Sequence, residues 1–306
     1  MQRKLVKQGL ATMMVSLPSK WIKRLSLKKG DEVEIEEADN KLVISKGEVS
    51  GKKTARLDLT NYTESSIRTA VVNAYRAGYD LIEMHFQNEK QQHVVRNTLK
   101  NYLIGFEVTK QEKNQCVIEN ITEPAEEQFD IIFKKIIYNI SLLIDSTEQR
   151  LRGKAGFEDY ADIVMNIHQY DNFCRRVMSK QNVMGSSANL FWSFLTLIVH
   201  AQRELYHLNR FLDTDRVRVK NFEMISHVRI LFGLLRDGYI NKEPGKLEKI
   251  HELEKKIIYK DFYKLVQKGQ KESIVFYHLA SCARNLYLAS SPAIGLLLEK
   301  SEQAEE

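Results

Sequence analysis

Apolar and polar positions alternate over short stretches in the first 46 residues, which predicts strands around one short helix. Pro18 fits the first turn of that helix, where its missing N–H costs nothing. Asp39-Asn40 is the expected hairpin turn, and Val33 and Ile35 are expected to face inward. The predicted strands are Arg3–Gln8, Thr12–Leu17, Glu32–Glu36 and Leu42–Ser45. Because so short a segment buries little apolar surface alone, we expect it to form a homodimer.

Residues 54–121 follow a β-α-β-α-β-β pattern. The predicted strands are Ala55–Leu59, Asp80–Phe86, Phe106–Gln111 and Gln115–Ile121. The two helices, Thr63–Ala77 and Glu89–Ile104, are followed by Gly78 and Gly105, at positions where a left-handed residue ends many helices. The pattern predicts a small α/β domain over residues 54–122.

After Pro124 the apolar residues recur with helical spacing over most of the remaining chain. The stripes predict six helices: Phe129–Ile144, Ile163–Met178, Asn189–Phe211, Val217–Arg236, Lys246–Lys268 and Glu272–Ser290. Gly238 and Pro292 are the expected ends of the fourth and the sixth. Antiparallel helices with short loops indicate a bundle. The predicted fold class is therefore α+β, with an N-terminal β domain (residues 1–50), an α/β domain (54–122) and an all-α domain (124–300).

Positive charge is concentrated near the N-terminus. The chain carries 46 Lys+Arg and 40 Asp+Glu, a net charge of +6, of which residues 1–53 contribute +5 (12 basic minus 7 acidic). Met1–Lys29 contains eight basic residues and no acidic one. This asymmetry favours a surface that faces a polyanion, above all nucleic acid. A solvated basic face without a partner would account for the charge equally well.

Several classes of protein are disfavoured by the sequence. The three cysteines are scattered and form no CxxC pair, which excludes a zinc ribbon or a disulfide framework and favours a cytoplasmic location. The longest nearly uncharged apolar run, Leu190–Val199, is much shorter than the ~20 residues of a spanning helix, so we expect no membrane insertion. The common nucleophile, phosphate-loop and dinucleotide motifs do not occur. We therefore expect no enzyme, no catalytic residue and no cofactor.

The segments Val15–Pro18 and Leu27–Val33, together with Trp21, resemble the AbrB/MazE/SpoVT family of swapped-hairpin DNA-binding domains. This resemblance implies a swapped-hairpin dimer that binds DNA. Its candidate DNA-binding residues are the N-terminal cations Arg3, Lys4, Lys7, Lys20, Lys23 and Arg24. Contacts of this kind neutralise phosphates and position a protein on DNA, but they do not read the bases.

The rest of the chain resembles archaeal proteins that join such a domain to a PhoU-like six-helix domain. Tyr75–Asp80 and Leu103–Val108 are similar to their connecting α/β segment, and Asp171–Arg176 falls where the PhoU-like helix has its acidic signature. The resemblance implies a dimeric transcription regulator linked to phosphate uptake, with a phosphate transporter or sensor as a further partner. The alternative is a phosphate-signalling adaptor that binds such a partner without touching DNA.

Three groups of side chains have the residue types of a metal site. They are His200, Glu204 and His207 on one helix face, Glu248, His251 and Glu252 on another, and His168 with Asp171. A set on one helix without a matched partner helix is a weak pattern. The positions of the expected PhoU-like carboxylates are occupied by Tyr170, Cys174 and Lys256. The sequence therefore predicts no multinuclear iron or zinc cluster and assigns no metal-binding residue, although a metal-binding phosphate sensor stays a third possible function. Core positions are expected for Cys174, Phe191, Trp192 and Phe194.

Overall fold

The computed structural model describes residues 2–9, 11–38, 41–46, 52–122, 128–154, 159–181, 183–215, 217, 219–267 and 272–302. The predicted turn at Asp39-Asn40, the predicted boundary at Pro124 and the predicted helix end at Lys268 lie outside these residues. The chain divides into two compact units, Met1–Lys52 and Lys53–Glu306. The fold is mixed α+β, with small strand pairs near the N-terminus and a helical C-terminal region.

The first unit contains two antiparallel strand pairs and one short helix. Its elements are β1 (Val6–Gln8), β2 (Thr12–Met14), α1 (Ser19–Arg24), β3 (Val33–Ala38) and β4 (Lys41–Lys46). Strand β1 pairs with β2, and β3 pairs with β4. The alternating pattern of the sequence thus predicted the type and order of these elements correctly.

One face of the β3–β4 pair is apolar and open. Ile35 lies directly opposite Ile44, and opposite residues of a strand pair share a face. The two-residue alternation of a strand adds Val33 and Leu42 to the same face. The exposed fractions are 62% for Ile35 and 65% for Leu42. Val33 and Ile44 are half-buried, and no residue described in the first unit is fully buried, so the described residues of this unit cover the face predicted to point inward only in part.

Local hydrogen bonds set both ends of α1. The Pro18 carbonyl accepts hydrogen bonds from the N–H groups of Trp21 (2.9 Å) and Ile22 (3.1 Å). At the other end, Ser26 has a left-handed φ of 52°, and the Leu27 N–H donates to the Ile22 carbonyl at 3.0 Å. This is a Schellman ending, in which a left-handed residue just after the helix satisfies the last carbonyls.

The second unit begins with an α/β part. Its elements are β5 (Thr54–Asp58), α2 (Glu64–Arg76), β6 (Leu81–His85), α3 (Glu89–Tyr102), β7 (Phe106–Gln111) and β8 (Gln115–Asn120). The sheet order is β5-β6-β8-β7, with β5 parallel to β6 and the other neighbours antiparallel. Sheet and helices enclose a core that includes Tyr75, Ile82 and Ile118, each 0% exposed. Every predicted boundary in this part is correct to within two residues.

The helix ends of this part follow from single residues. The Thr63 side chain accepts a hydrogen bond from the Ser66 N–H at 3.3 Å and begins α2. Gly78 and Gly105 have left-handed φ values of 78° and 80°, as predicted. At Gly105 a side chain is also sterically excluded, because its Cβ would lie 2.6 Å from the Thr122 carbonyl oxygen.

Helices form the remainder of the second unit. They are α4 (Gln128–Leu151), α5 (Tyr160–Lys180), α6 (Ala188–Thr214), α7 (Glu223–Ile240), α8 (Pro244–Lys256), α9 (Phe262–Val266) and α10 (Glu272–Glu302). A π-helical turn, Ile257–Asp261, joins α8 to α9. None of the described helices has both the length and the apolar character needed to cross a membrane.

The helical core contains Cys174, Phe191 and Phe194, as predicted. The prediction for Trp192 is wrong, because 37% of that residue is exposed. Its ring lies at the edge of the core, with the Arg175 guanidinium 4.5 Å from the ring centre. A cation above an indole ring attracts the ring electrostatically, which stabilises Trp192 in a partly exposed position.

Helix α7 differs from its predicted bounds at both ends. It begins at Glu223 rather than Val217, after Asn221, whose side chain accepts a hydrogen bond from the Glu223 N–H at 2.7 Å. It also continues past Gly238 to Ile240. A Cβ at Gly238 would lie 2.5 Å from the Leu247 side chain on α8. This glycine therefore permits close helix packing and does not end the helix.

The last two predicted helices also differ. The predicted helix Lys246–Lys268 is interrupted by the π-helical turn. The predicted break at Pro292 is wrong, since α10 continues through it. An interior proline removes one hydrogen bond and costs about 3 kcal/mol. The neighbouring residues Ala289 and Ala293 are 0% exposed, so burial along α10 outweighs that cost.

Helix α5 contacts the α/β part through Arg176, which is 1% exposed. The guanidinium donates to the carbonyls of Tyr75 (3.1 Å) and Tyr79 (2.7 Å) and to the Asp80 carboxylate (2.8 Å). Burial alone would raise the pKa of Asp80, but hydrogen bonds from Lys180, the Lys53 N–H and Arg176 hold this pKa below its ordinary value. Asp80 is therefore a charged anchor between the two parts.

A second set of contacts lies one turn away along α5. Arg76 on α2 donates to the Asp171 carboxylate at 2.7 Å and to the Asn172 side chain at 2.8 Å. The Asn172 amide in turn donates to the Tyr102 carbonyl at 2.9 Å. Arg175 donates to the other oxygen of Asp171 at 2.8 Å. The Asp171–Arg176 segment thus forms the joint between the two parts of the second unit.

Candidate nucleic-acid interface

The six predicted DNA-binding residues belong to two places in the first unit. Arg3 and Lys4 precede β1 and Lys7 lies in it, whereas Lys20, Lys23 and Arg24 lie on α1. All six are exposed, and within the described part of the chain none of them forms an ion pair. Their charges are therefore not neutralised by described neighbours and are available to a polyanion.

The helix brings three of these cations together. Lys20, Lys23 and Arg24 follow i, i+3, i+4 spacing, which places them on one side of α1. Trp21 and Ile22, by contrast, are half-buried. The structure gives no contact that joins the β1 cations to the α1 cations, so a single footprint containing all six stays a prediction.

The chemistry of this surface suits phosphate groups. Arg24 offers a planar fork of donors, whereas Lys20 and Lys23 act as point charges. Displacement of counterions by such cations supplies sequence-independent affinity for DNA. Lys23 and Arg24 also lie in the last turn of α1, where positive charge stabilises the helix end. A test of DNA binding must therefore separate these two roles.

The three predicted histidine and carboxylate groups do not assemble into metal sites among the described residues. On α6, His200 and His207 are exposed, and Glu204 instead contacts His278 Nδ1 on α10 at 2.8 Å. The His251 ring packs edge-on against Tyr287. Asp171 is engaged by two arginines.

Burial lowers the pKa of His168 to about 4, with positive neighbours adding to the effect and Asp171 opposing it. This imidazole is therefore neutral over the ordinary pH range. It packs against the Tyr102 ring, and its position beside the joint favours a packing role.

Sequence reasoning missed the structural role of Arg76, Arg175 and Arg176. The available signal was that Asp171 and Arg175 are four residues apart on a helix whose apolar stripe includes Cys174. Charged residues on a buried face require partners. That rule could have predicted ion pairs along α5, but it could not have identified Asp80 or Arg76 as the groups that complete them.

A protein-family model described as "Antidote-toxin recognition MazE, bacterial antitoxin" matches residues 12–52. The match covers α1 with its three cations and the β3–β4 pair, and it begins after Arg3, Lys4 and Lys7. The chain has no significant match among curated proteins or among solved structures. The matched segment is thus similar to a MazE/AbrB-type domain, which supports a DNA-binding or antitoxin-type regulator.

Proposed function

We propose that this protein is a DNA-binding transcriptional regulator that acts as a homodimer. The observation that carries the proposal is the exposed, unpaired cation set of α1 inside a segment that matches a MazE-type domain. The open apolar face of β3–β4 supports dimerisation, because a second copy of the same face would remove Ile35 and Leu42 from water. No catalytic role forms part of the proposal.

We further propose that the regulator is linked to phosphate uptake through the second unit. This step rests on the resemblance of the α/β and helical segments to archaeal proteins with a PhoU-like domain. In this scheme a transporter or sensor protein reports phosphate status to the helical part. An adaptor that never contacts DNA is the competing function, and the DNA-binding test distinguishes the two.

The test uses the full chain and the double variant Lys23→Glu/Arg24→Glu. If each subunit engages about three phosphates, the dimer neutralises about six, and log K against log[salt] should have a slope near −5. The variant should weaken binding on every DNA sequence, because phosphate contacts carry no base information. Gel shifts at several salt concentrations measure both effects.

A matched control is available in the second unit. Lys255 and Lys256 also form the basic last turn of a helix and are exposed. Lys255→Glu/Lys256→Glu applies the same charge reversal to α8 and should leave DNA binding unchanged. Circular dichroism checks that both variants stay folded. Equal loss in the two variants would show a general charge effect and would contradict an interface on α1.

The phosphate link has its own test. Genome-wide footprinting in the host, at high and low phosphate, should place the protein at genes for phosphate uptake and change its occupancy with phosphate supply. Sites elsewhere would overturn the phosphate link but leave DNA binding intact. If the unmutated protein does not bind DNA at low salt, the adaptor function is favoured.

A further inference from the structure

Three side chains with metal-ligating atoms converge where α7 begins. Glu223 and His227 are one turn apart on α7 and therefore share a face. Asp261 is the last residue of the π-helical turn after α8. One potential ligand atom from each of the three residues lies within 4.8 Å of the other two. The three were not grouped from the sequence, because Asp261 lies on a different helical segment.

Two of these side chains have buried atoms without a partner. His227 is 8% exposed, and its Nδ1 makes no hydrogen bond. Its Nε2 is the ring nitrogen that faces the Glu223 carboxylate, at 3.9 Å, which is too long for a hydrogen bond, so Nε2 and not Nδ1 is the candidate ligand atom. The Asp261 Oδ2 is also buried without a partner. Buried polar atoms in native proteins are almost always satisfied, and an ordered water or a bound ion is among the explanations for an exception.

The charges around the group are also unbalanced. Glu223 and Asp261 bring two carboxylates together, and neither is paired with a lysine or arginine among the described residues. Lys256 is the positive group that acts on His227. Burial, assisted by Lys256, lowers the pKa of His227 against the opposing effect of Glu223 and Asp261.

The π-helical turn accounts for the position of Asp261. A π turn contains about one more residue than an α-helical turn, so it rotates the following side chains by about 100° relative to α8. Such turns occur often at functional sites. Here the turn places a carboxylate beside a face of α7 that already presents a carboxylate and an imidazole.

We propose that Glu223, His227 and Asp261 bind a single divalent transition-metal ion, for which Zn²⁺ is the first choice. One imidazole nitrogen and two carboxylate oxygens suit Zn²⁺, which also accepts water as a fourth ligand. Ligand atoms at about 2.1 Å from a tetrahedral Zn²⁺ are about 3.4 Å apart, so the present group must contract by roughly 1 Å. Glu223 can rotate inward because its side chain is 49% exposed.

The ion would connect the first turn of α7 to the π-helical turn and satisfy the orphaned Asp261 oxygen. This site shares no residue with the proposed DNA interface, so either proposal can fail without the other. It adds a single-ion site where the sequence assigned no metal-binding residue. Tyr170, Cys174 and Lys256, which occupy the positions of the expected PhoU-like carboxylates, contribute no ligand to it.

The experiment measures Zn²⁺ binding to the full-length protein after chelator treatment and exhaustive dialysis. After Zn²⁺ is added back and the excess is removed by gel filtration, elemental analysis should find one Zn²⁺ per chain. Glu223→Gln and Asp261→Asn should each weaken binding at least about 100-fold, since loss of even an outer partner of a metal ligand costs 10–100-fold. Co²⁺ in place of Zn²⁺ should give visible absorption bands that both variants lose.

The control variant is Glu204→Gln, which disrupts the carboxylate–imidazole contact with His278 elsewhere in the helical part. It should keep the full Zn²⁺ stoichiometry. The Glu223 side chain is 49% exposed, so Glu223→Gln should fold normally, and circular dichroism can verify this. The test therefore does not need a substitution of the buried His227, which could unfold the protein. Absence of stoichiometric Zn²⁺ at micromolar concentration, or unchanged binding in both site variants, would overturn the proposal.

Discussion

The two units of this chain use apolar residues in opposite ways. In the first unit, the described residues include no buried side chain, and Leu5, Met13, Ile35 and Leu42 are each at least 60% exposed. The second unit has two continuous cores, one in the α/β part and one among the helices. Its shape is therefore determined by packing within the chain, whereas the first unit has strands and a helix without a core of its own.

The difference teaches where each unit obtains its stability. Backbone ordering costs roughly 1–2 kcal/mol per residue, and burial of apolar surface must offset that cost. The second unit meets this condition with its own side chains. The described residues of the first unit provide turns, strand hydrogen bonds and half-buried apolar side chains such as Trp21 and Ile22, but no fully buried one. The proposed homodimer would supply further cover through a second copy of the β3–β4 face.

The largest expected effect is at the joint of the second unit. Arg176→Ala leaves the Asp80 carboxylate and the carbonyls of Tyr75 and Tyr79 without their buried donor. Breaking a buried ion pair from one side costs about 3–5 kcal/mol. Urea unfolding of the full chain, followed by circular dichroism, measures this loss.

Arg56→Ala is the matched control for that substitution. It removes an arginine from an exposed pair with Glu83, in which the Arg56 side chain is 81% exposed. An exposed pair contributes about 0–1 kcal/mol. If both substitutions cost the same, the joint does not depend on burial, and the contrast between packed and unpacked regions is weaker than the structure indicates.

The next effect concerns the first unit and its partner copy. Ile35→Asp removes an apolar side chain from the open face, and burial of such a side chain is worth about 2 kcal/mol. Two copies per dimer give about 4 kcal/mol, so the dissociation constant should rise about 1,000-fold. Sedimentation of the full chain measures it. The control is Ile131→Asp, at a 56% exposed position on α4. If Ile131→Asp abolishes the dimer and Ile35→Asp does not, the interface lies in the second unit.

Glycine substitutions compare the two units directly. Gly105→Ala combines a left-handed φ of 80° with a Cβ that would lie 2.6 Å from the Thr122 carbonyl oxygen. We expect a loss of about 2–4 kcal/mol, because the backbone must shift as well as adopt a strained angle. Gly30→Ala has a φ of 96° but nothing within 4 Å of the added atom, so it should cost only about 1–2 kcal/mol. Thermal unfolding of both variants measures the two losses of stability. A greater loss for Gly30→Ala than for Gly105→Ala would contradict the prediction.

Elements that depend on local signals could be predicted from the sequence. The α/β part is correct to within two residues because Thr63 acts through a local side-chain hydrogen bond and Gly78 and Gly105 act through their own backbone geometry. The strand pairs of the first unit were likewise predicted from alternation. The six cations could be named as candidates, and the structure adds that they are exposed and that three share one face of α1.

Elements that depend on distant contacts could not be predicted in this way. Gly238 looks like a helix end but serves packing against Leu247, and Pro292 lies inside a buried stretch of α10. The π-helical turn has no local sequence signature, so the grouping of Asp261 with His227 is visible only in three dimensions. The same applies to Arg176, whose partners are about a hundred residues away in the chain.

The smallest effect tests whether local signals act equally in the two units. Ser26 follows α1 with a φ of 52°, and Lys242 follows α7 with a φ of 56°. Both positions are followed by a Schellman hydrogen bond, from the Leu27 N–H to the Ile22 carbonyl at 3.0 Å and from the Glu243 N–H to the Gly238 carbonyl at 2.9 Å.

A left-handed residue other than glycine costs about 1–2 kcal/mol, and a glycine avoids this cost. Part of the stability gained is lost again because glycine has more conformational freedom in the unfolded chain. Ser26→Gly and Lys242→Gly should therefore each stabilise their unit by roughly 0.5–1 kcal/mol, measured as a higher Tm by calorimetry. If the first unit is covered by a partner copy, as proposed, the gain from Ser26→Gly should also appear as tighter dimerisation, whereas Lys242→Gly should leave the dimer unchanged. Lower stability in the Ser26 variant would show that the serine side chain itself makes a contact that the ending of α1 needs.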